Sequence, residues 1–317
     1  MAETPLPKTM MEAVRYFADP DVCVDFVAKL RWPNGPVCPT CKGTEHSYLT
    51  TRRLWKCKNK TCHKQFSVKL GSIFEDSAIP LDKWLVSIWV IANSKNGISS
   101  YELGRAVGIT QKSAWFVLHR IRLAMRTGSW LRQSGEVEAD ETYVGGKAEN
   151  MHAKVKRQKK RDSRGKVAKT VIAGTLQRGT ETTVSQVNAQ VIPDDSVASI
   201  RAHVRTRVAS KSKLYTDGHK AYGGLKHEFQ HSWVSHEVGE YVRGRVHTGG
   251  IDNFWTLLKR GLAGTYVQVA PEHVSRYVDE RVFTFNMRDL TDLGRFQMVL
   301  SRISGRRLTY AALTRAI

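Results

Sequence analysis

The sequence predicts a mixed α/β protein built in successive parts, and three observations carry that prediction. Four of the five cysteines fall into two close pairs, Cys38 with Cys41 and Cys57 with Cys62. The run from Ile79 to Met125 keeps a helical apolar period punctuated by capping residues and glycine. From Glu136 onward, two-residue alternation comes first and helix-like and strand-like stretches then take turns, the pattern of a mixed sheet covered by helices.

At the N-terminus, apolar positions at Ala13, Val14 and Phe17, then Val22, Phe26, Val27 and Leu30, flank Asp19-Pro20. They predict two short helices joined by a turn, with Cys23 a small buried side chain in the second. From Trp32 to Phe74 the texture changes to turn residues and tight alternation. Two cysteine knuckles separated by short strands are the form of a zinc ribbon, in which Cys38, Cys41, Cys57 and Cys62 hold Zn²⁺ as four thiolates. So few residues cannot build a core of their own, and the metal takes its place. A disulfide framework would call for an even cysteine count and a secretory signal, and neither is visible.

Between Ile79 and Met125, Pro80 stands near the start of one helix, Ser99 or Ser100 caps a second that ends at Gly108, and Thr110 caps a third. A helix, a glycine turn and a second capped helix form the pattern of a helix-turn-helix. Gln111, Lys112 and Ser113 are the first side chains that such a helix presents to a DNA groove. An ordinary helical bundle would show the same caps and turn.

Glu136 to Gly146 reads as a strand with Asp140 and Glu141 on opposite faces and Glu138 on the face of Asp140. The charge run that follows contains Lys147, Lys154, Lys156 and Arg157 and is expected to be an exposed, phosphate-contacting loop. Alternation returns in TVIAGTLQR and TTVSQVNAQVI, expected to be a hairpin pairing with the Asp140 strand. Pro193 to Val208 reads as a helix, Lys213 to Tyr215 as a strand ending at Asp217, Trp233 to Val238 as a further strand, and Pro271 to Arg288 as a helix. The expected divisions are helices over 1–32, a zinc ribbon over 33–76, a helix-turn-helix-like domain over 77–130, a catalytic domain over 131–290 and a helical appendix over 291–317.

The formal charge of +21 and the pI of 9.9 favour a polyanionic partner, because bound Lys and Arg release its counterions. No long uncharged apolar run or signal-like start is visible, so a membrane partner is not expected and a cytoplasmic, nucleoid-associated location is. Asp217 ends a short apolar run, and 35 positions later Asp252 and Asn253 open an amphipathic stretch that carries Lys259 and Arg260. With Asp140 upstream, three oxygen donors from separate segments suit a pair of hard divalent cations, Mg²⁺ or Mn²⁺, and phosphoryl transfer. Each acid alone reads equally well as a turn or surface residue. His219 and His247 lie close enough in sequence to serve as a base, or simply as hydrogen-bonded neighbours.

The succession of CPTC, VEADETYVGGK, LYTDGHKAY, HTGGIDNFWTLLKRGLAGTY and RYVDERVFTFNMR resembles insertion-sequence transposases of the IS1595, or ISXO2-like, group over nearly the whole chain. The resemblance implies an RNase H-like catalytic domain behind a zinc ribbon. It also implies an enzyme that cuts double-stranded DNA at element ends and joins the freed 3′-OH groups to target DNA. Carried over by position, the first two catalytic acids fall on Asp140 and Asp217. Relatives end the set with Glu or Asn. If Asp252 takes that place, Lys259 follows at seven residues, and if Asn253 does, Arg260 follows; agreement with the family favours Asn253. Either of the two may instead be the N-cap of a helix beginning at Phe254. Joining two ends implies a dimer or larger assembly on DNA. Two other functions fit parts of the pattern: a non-cutting DNA-binding regulator derived from a transposase, and a structure-specific nuclease.

Overall fold

The computed structural model describes residues 5–126, 132–145 and 169–315. It forms two compact units, one from residues 1–126 with 290–317 and the other from 127–289.

In the first unit, Asp19 accepts the Asp21 N–H and Pro20 opens the second helix, so α1 (Met10–Tyr16) stops and α2 (Pro20–Arg31) starts at the Asp-Pro turn. The ribbon is a three-stranded antiparallel sheet of β1 (His46–Leu49), β2 (Leu54–Cys57) and β3 (Gln65–Phe66). Its small apolar layer is aromatic, with Trp55 stacked on Phe66 at 6.0 Å and Trp32 edge-on to both. Next come α3 (Leu81–Asn93), α4 (Ser100–Val107) and α5 (Gln111–Met125). Ser99 and Glu102 make a reciprocal capping box, Gly108 takes the left-handed φ of 64° that ends α4, and Thr110 caps α5. The chain returns to this unit in α9 (Asp292–Leu300) and α10 (Tyr310–Thr314), with Phe296 packed between Phe17 and Trp89 at 5.7 and 5.1 Å.

Among its described residues, the second unit is organised by a five-stranded sheet in the order β6-β5-β4-β7-β8. The strands are β4 (Glu136–Val144), β5 (Thr170–Gln177), β6 (Gln186–Ile192), β7 (Lys213–Asp217) and β8 (Gln230–Val234). β4, β5 and β6 form an antiparallel meander, while β7 and β8 run parallel to β4. Parallel neighbours need crossovers, which α6 (Val197–Arg207) and the helical turns of Lys220–His227 supply. Alternation along the strands gives each face its own core. Val137, Ala139, Val171 and Leu214 meet α6 residues Ile200 and Val204 on one side. On the other, Ile172, Leu176 and Val187 meet α7 (Gly249–Gly264) and α8 (Val274–Asn286).

Three boundaries differ from the sequence reading. Ser196 caps α6, so the helix begins at Val197 rather than Pro193. The last strand is Gln230–Val234, with Val238 in a later turn; a polar edge strand gives no alternation to read, and the buried Val234 is placed by its pairing with Asp217. The helix expected from Phe254 begins at Gly249, so neither Asp252 nor Asn253 is its N-cap.

Candidate active site

β4 and β7 are the adjacent parallel strands at the centre of the sheet, paired Glu136 with Lys213, Val137 with Leu214 and Glu138 with Tyr215. Continued by two residues, that register sets Asp217, the last residue of β7, beside Asp140, the middle residue of β4. Asp217 is half-buried, and its Oδ1 accepts the His219 N–H at 3.1 Å, which fixes the turn after the strand.

α7 crosses the same face. The Trp255 indole N–H donates to Asp140 Oδ2 at 2.8 Å, and the ring lies over Gly174 of β5, where an added Cβ would come within 2.5 Å of it. Gly174 is opposite Asp140 across the β4–β5 pair, so a residue without a side chain makes room for the indole that holds the acid. Sequence reasoning missed this partnership because Trp255 looks like any core aromatic on an amphipathic helix.

The direction of α7 separates the two candidates for the third position. Asp252 precedes Trp255 by three residues and so lies within about 60° of it around the helix, whereas Asn253 points about 160° away. Asp252 is exposed, with Oδ2 accepting the Thr248 hydroxyl at 3.0 Å. Lys259, seven residues on, returns to the side of Asp252, and Arg260 to that of Asn253. Both basic side chains are exposed.

Burial first, and then the charges of Glu141, Asp217 and Asp252, push the Asp140 carboxyl up to about 8. Glu141 points to the opposite face, where it accepts the Tyr222 hydroxyl at 2.7 Å and meets His219 Nδ1 at 3.5 Å. Burial raises its carboxyl as well, against the Tyr222 hydrogen bond. Asp140, Asp217 and Asp252 offer carboxylate oxygens of the kind a hard divalent cation takes, while among the described residues the one group of side chains already gathered within 4.8 Å is the four cysteines of the ribbon.

One consequence can be measured without DNA. An unfolded aspartate loses its proton near pH 4, but folded Asp140 keeps its proton to about 8, so between those values its contribution to stability falls as pH rises. Asp140→Asn is therefore expected to stabilise the zinc-loaded, magnesium-free protein, by on the order of 2 kcal/mol at pH 8 and by less at pH 5.5. Urea melts at the two pH values check this, and a variant no more stable than wild type at pH 8 would contradict it.

In the ribbon, the Sγ atoms of Cys38, Cys41, Cys57 and Cys62 all lie within 4.8 Å of one another. Cys38 to Cys62 is 3.7 Å and Cys41 to Cys57 is 3.5 Å. A tetrahedron of sulfurs about 2.3 Å from zinc has edges of about 3.8 Å, so the thiols stand where zinc would hold them. Burial raises the Cys38 thiol, but the N–H groups of Cys41 and Thr40 outweigh it and bring it down to about 7.

At the start of α5, Gln111 donates to Ser100 Oγ at 2.9 Å, Lys112 sits 5.0 Å over the Tyr310 ring, and the Ser113 hydroxyl accepts from Thr110. Gln111 and Lys112 are exposed. Lys147, Lys154, Lys156 and Arg157 lie outside the described residues. Among the described residues, no helix is long and apolar enough to cross a membrane.

Comparison with known proteins agrees with this layout. Residues 132–286 match the ISXO2-like transposase domain, and residues 19–65 match the transposase zinc-ribbon domain of the same IS1595 group. The chain is 27% identical over 276 residues to a protein in transposable element ISH50 of Halobacterium salinarum, covering 80% of this chain and 86% of that protein. It is also 28% identical over 106 residues to a transposase-like protein of Haemophilus influenzae, covering 33% of this chain and 85% of the relative. With a four-cysteine ribbon, a mixed α/β domain and two family matches that together span well over half its length, the chain belongs to the IS1595 group of ISXO2-like transposases.

Proposed function

We propose that this transposase cleaves double-stranded DNA at element ends and joins the freed 3′-OH groups to target DNA, with Asp140, Asp217 and Asp252 holding two Mg²⁺ or Mn²⁺ ions. The observation that carries the reading is that β4, β7 and α7 bring Asp140, Asp217 and Asp252 to one face of the sheet, with Trp255, three residues after Asp252, bonded to Asp140. The sheet order, an antiparallel meander joined to two parallel strands, supports an RNase H-like fold for this unit.

When bound, such a cation pair supplies Lewis-acid stabilisation of the attacking and leaving oxygens of an in-line displacement. The protein's own part is positional. Strand register sets Asp140 beside Asp217, the Trp255 N–H orients the Asp140 carboxylate, and the Thr248 hydroxyl orients Asp252. Lys259, on the same side of α7 as Asp252, is placed to hold a non-bridging phosphate oxygen of the scissile strand, and Arg260 to hold flanking phosphate. Gln111, Lys112 and Ser113 at the head of α5 and the basic residues Lys147, Lys154, Lys156 and Arg157 contact DNA. Two copies or more assemble on paired ends, one for each end.

The third position is Asp252 in this reading, because its side of α7 carries Trp255 and Lys259. Asp252→Asn is expected to lower strand transfer from end-containing oligonucleotides by about 100-fold or more, an effect of several kcal/mol on the barrier, and Asn253→Ala by less than about tenfold. The reverse order would assign the position to Asn253.

A further inference from the structure

α7 begins without a conventional cap. Its N-cap residue Thr248 makes no capping hydrogen bond, two glycines follow, and the first turn carries Asp252. Glycine is a poor helix former, so something outside the helix must fix its start. Glu138, two residues before Asp140 on the same face of β4, is 1% exposed and supplies that acceptor: its Oε2 takes the Ile251 N–H at 2.8 Å. A carboxylate at a helix N-terminus meets both an orphan donor and the positive end of the helix dipole. Gly250 lets it approach, since a Cβ there would lie 2.9 Å from Oε2 and 3.1 Å from Oε1.

Arg178, the residue after β5, completes the arrangement. Its Nε donates to Glu138 Oε1 at 2.8 Å, and its two terminal nitrogens donate to the carbonyls of Arg245 and His247 at 2.7 and 2.9 Å. The guanidinium also stacks 4.6 Å from the Tyr215 ring of β7. One side chain thus ties β4, β7 and the segment leading into α7 to a single point. A buried carboxylate is costly unless paired and hydrogen-bonded; besides Arg178 and the Ile251 N–H, this one meets His247 Nδ1 at 3.6 Å, in the segment that leads into α7.

We propose that Glu138 and Arg178 are positioning residues that set the start of α7 and hence the place of Asp252 in the cation site, with Gly250 as the gap that permits it. The inference rests on the reading of Asp140, Asp217 and Asp252 as ligands. Neither residue touches the reacting atoms; they act through the helix, as outer partners of metal ligands do.

The test uses full-length, zinc-loaded protein. Mn²⁺ half-saturation is measured by electron paramagnetic resonance of the free ion, and kcat and KM for strand transfer are measured on end oligonucleotides. Glu138→Ala is expected to raise Mn²⁺ half-saturation by about 10- to 100-fold and to lower kcat in proportion, with KM little changed. Should that variant not fold, Gly250→Ala decides: it keeps every charged group and is intrinsically the better helix former, yet it is expected to weaken Mn²⁺ binding by about tenfold by pushing α7 off Glu138. A Gly250→Ala protein with wild-type Mn²⁺ half-saturation and kcat, alongside an inactive Asp217→Asn, would overturn the positioning role alone. Wild-type Mn²⁺ binding and transfer by Asp217→Asn would overturn the ligand reading together with it.

Discussion

Asp217→Asn is expected to lower DNA cleavage and strand transfer by at least about 10³-fold while changing affinity for end DNA by less than about threefold. Asparagine has the volume of aspartate and keeps an oxygen to accept the His219 N–H at the end of β7, so the turn after the strand survives. The change removes one negative charge from the proposed cation site, and loss of a ligand that supports charge in the transition state is an effect of several kcal/mol, where each 1.4 kcal/mol is tenfold in rate. Binding depends instead on the excess of basic residues, 50 against 29 acidic, which the substitution leaves in place. Gel-shift titration and oligonucleotide strand transfer on one preparation separate the two. Product formed at more than about a tenth of the wild-type rate would remove Asp217 from the ligand set.

The second large effect concerns the ribbon. Its strands are short, β3 having only two residues, and its apolar layer consists of a few aromatic side chains around Trp55. Such a piece cannot hold itself together, whereas zinc binding in zinc-finger peptides contributes roughly 10–16 kcal/mol. Cys57→Ser is therefore expected to lose the zinc, to free Cys38, Cys41 and Cys62 for thiol reagents, and to alter the emission of Trp55, which is buried two residues before Cys57 on β2. Metal analysis is expected to find one zinc per wild-type chain and none in the variant. Full zinc content in Cys57→Ser would move the site elsewhere.

Local signals were legible and long-range ones were not. The Asp19-Pro20 turn, a serine cap at Ser99 or Ser100, the Gly108 stop and the Thr110 cap could be read because each is settled within a few residues of chain. The four cysteines were legible for a similar reason, since metal chemistry fixes both residue type and spacing. The start of α7 was misread because its acceptor, Glu138, lies 113 residues upstream, and the Gly249-Gly250 pair reads locally as a loop. The polar edge strand β8 has no alternation of its own and takes its place from β7. At the acids, sequence placed Asp140 and Asp217 on separate strands but gave no reason for Trp255 or Gly174 beside them. The proposal of Asp252 over Asn253 rests on a helix direction that only the packing of Trp255 on β5 reveals.

The account stands or falls on whether the three acids share cations. Crystals of the zinc-loaded protein soaked in Mn²⁺ and measured at the manganese absorption edge give the most direct answer. Anomalous peaks are expected between the carboxylates of Asp140, Asp217 and Asp252, two of them about 4 Å apart when end DNA is present. Density for Mn²⁺ elsewhere, with these carboxylates unligated, would contradict the account.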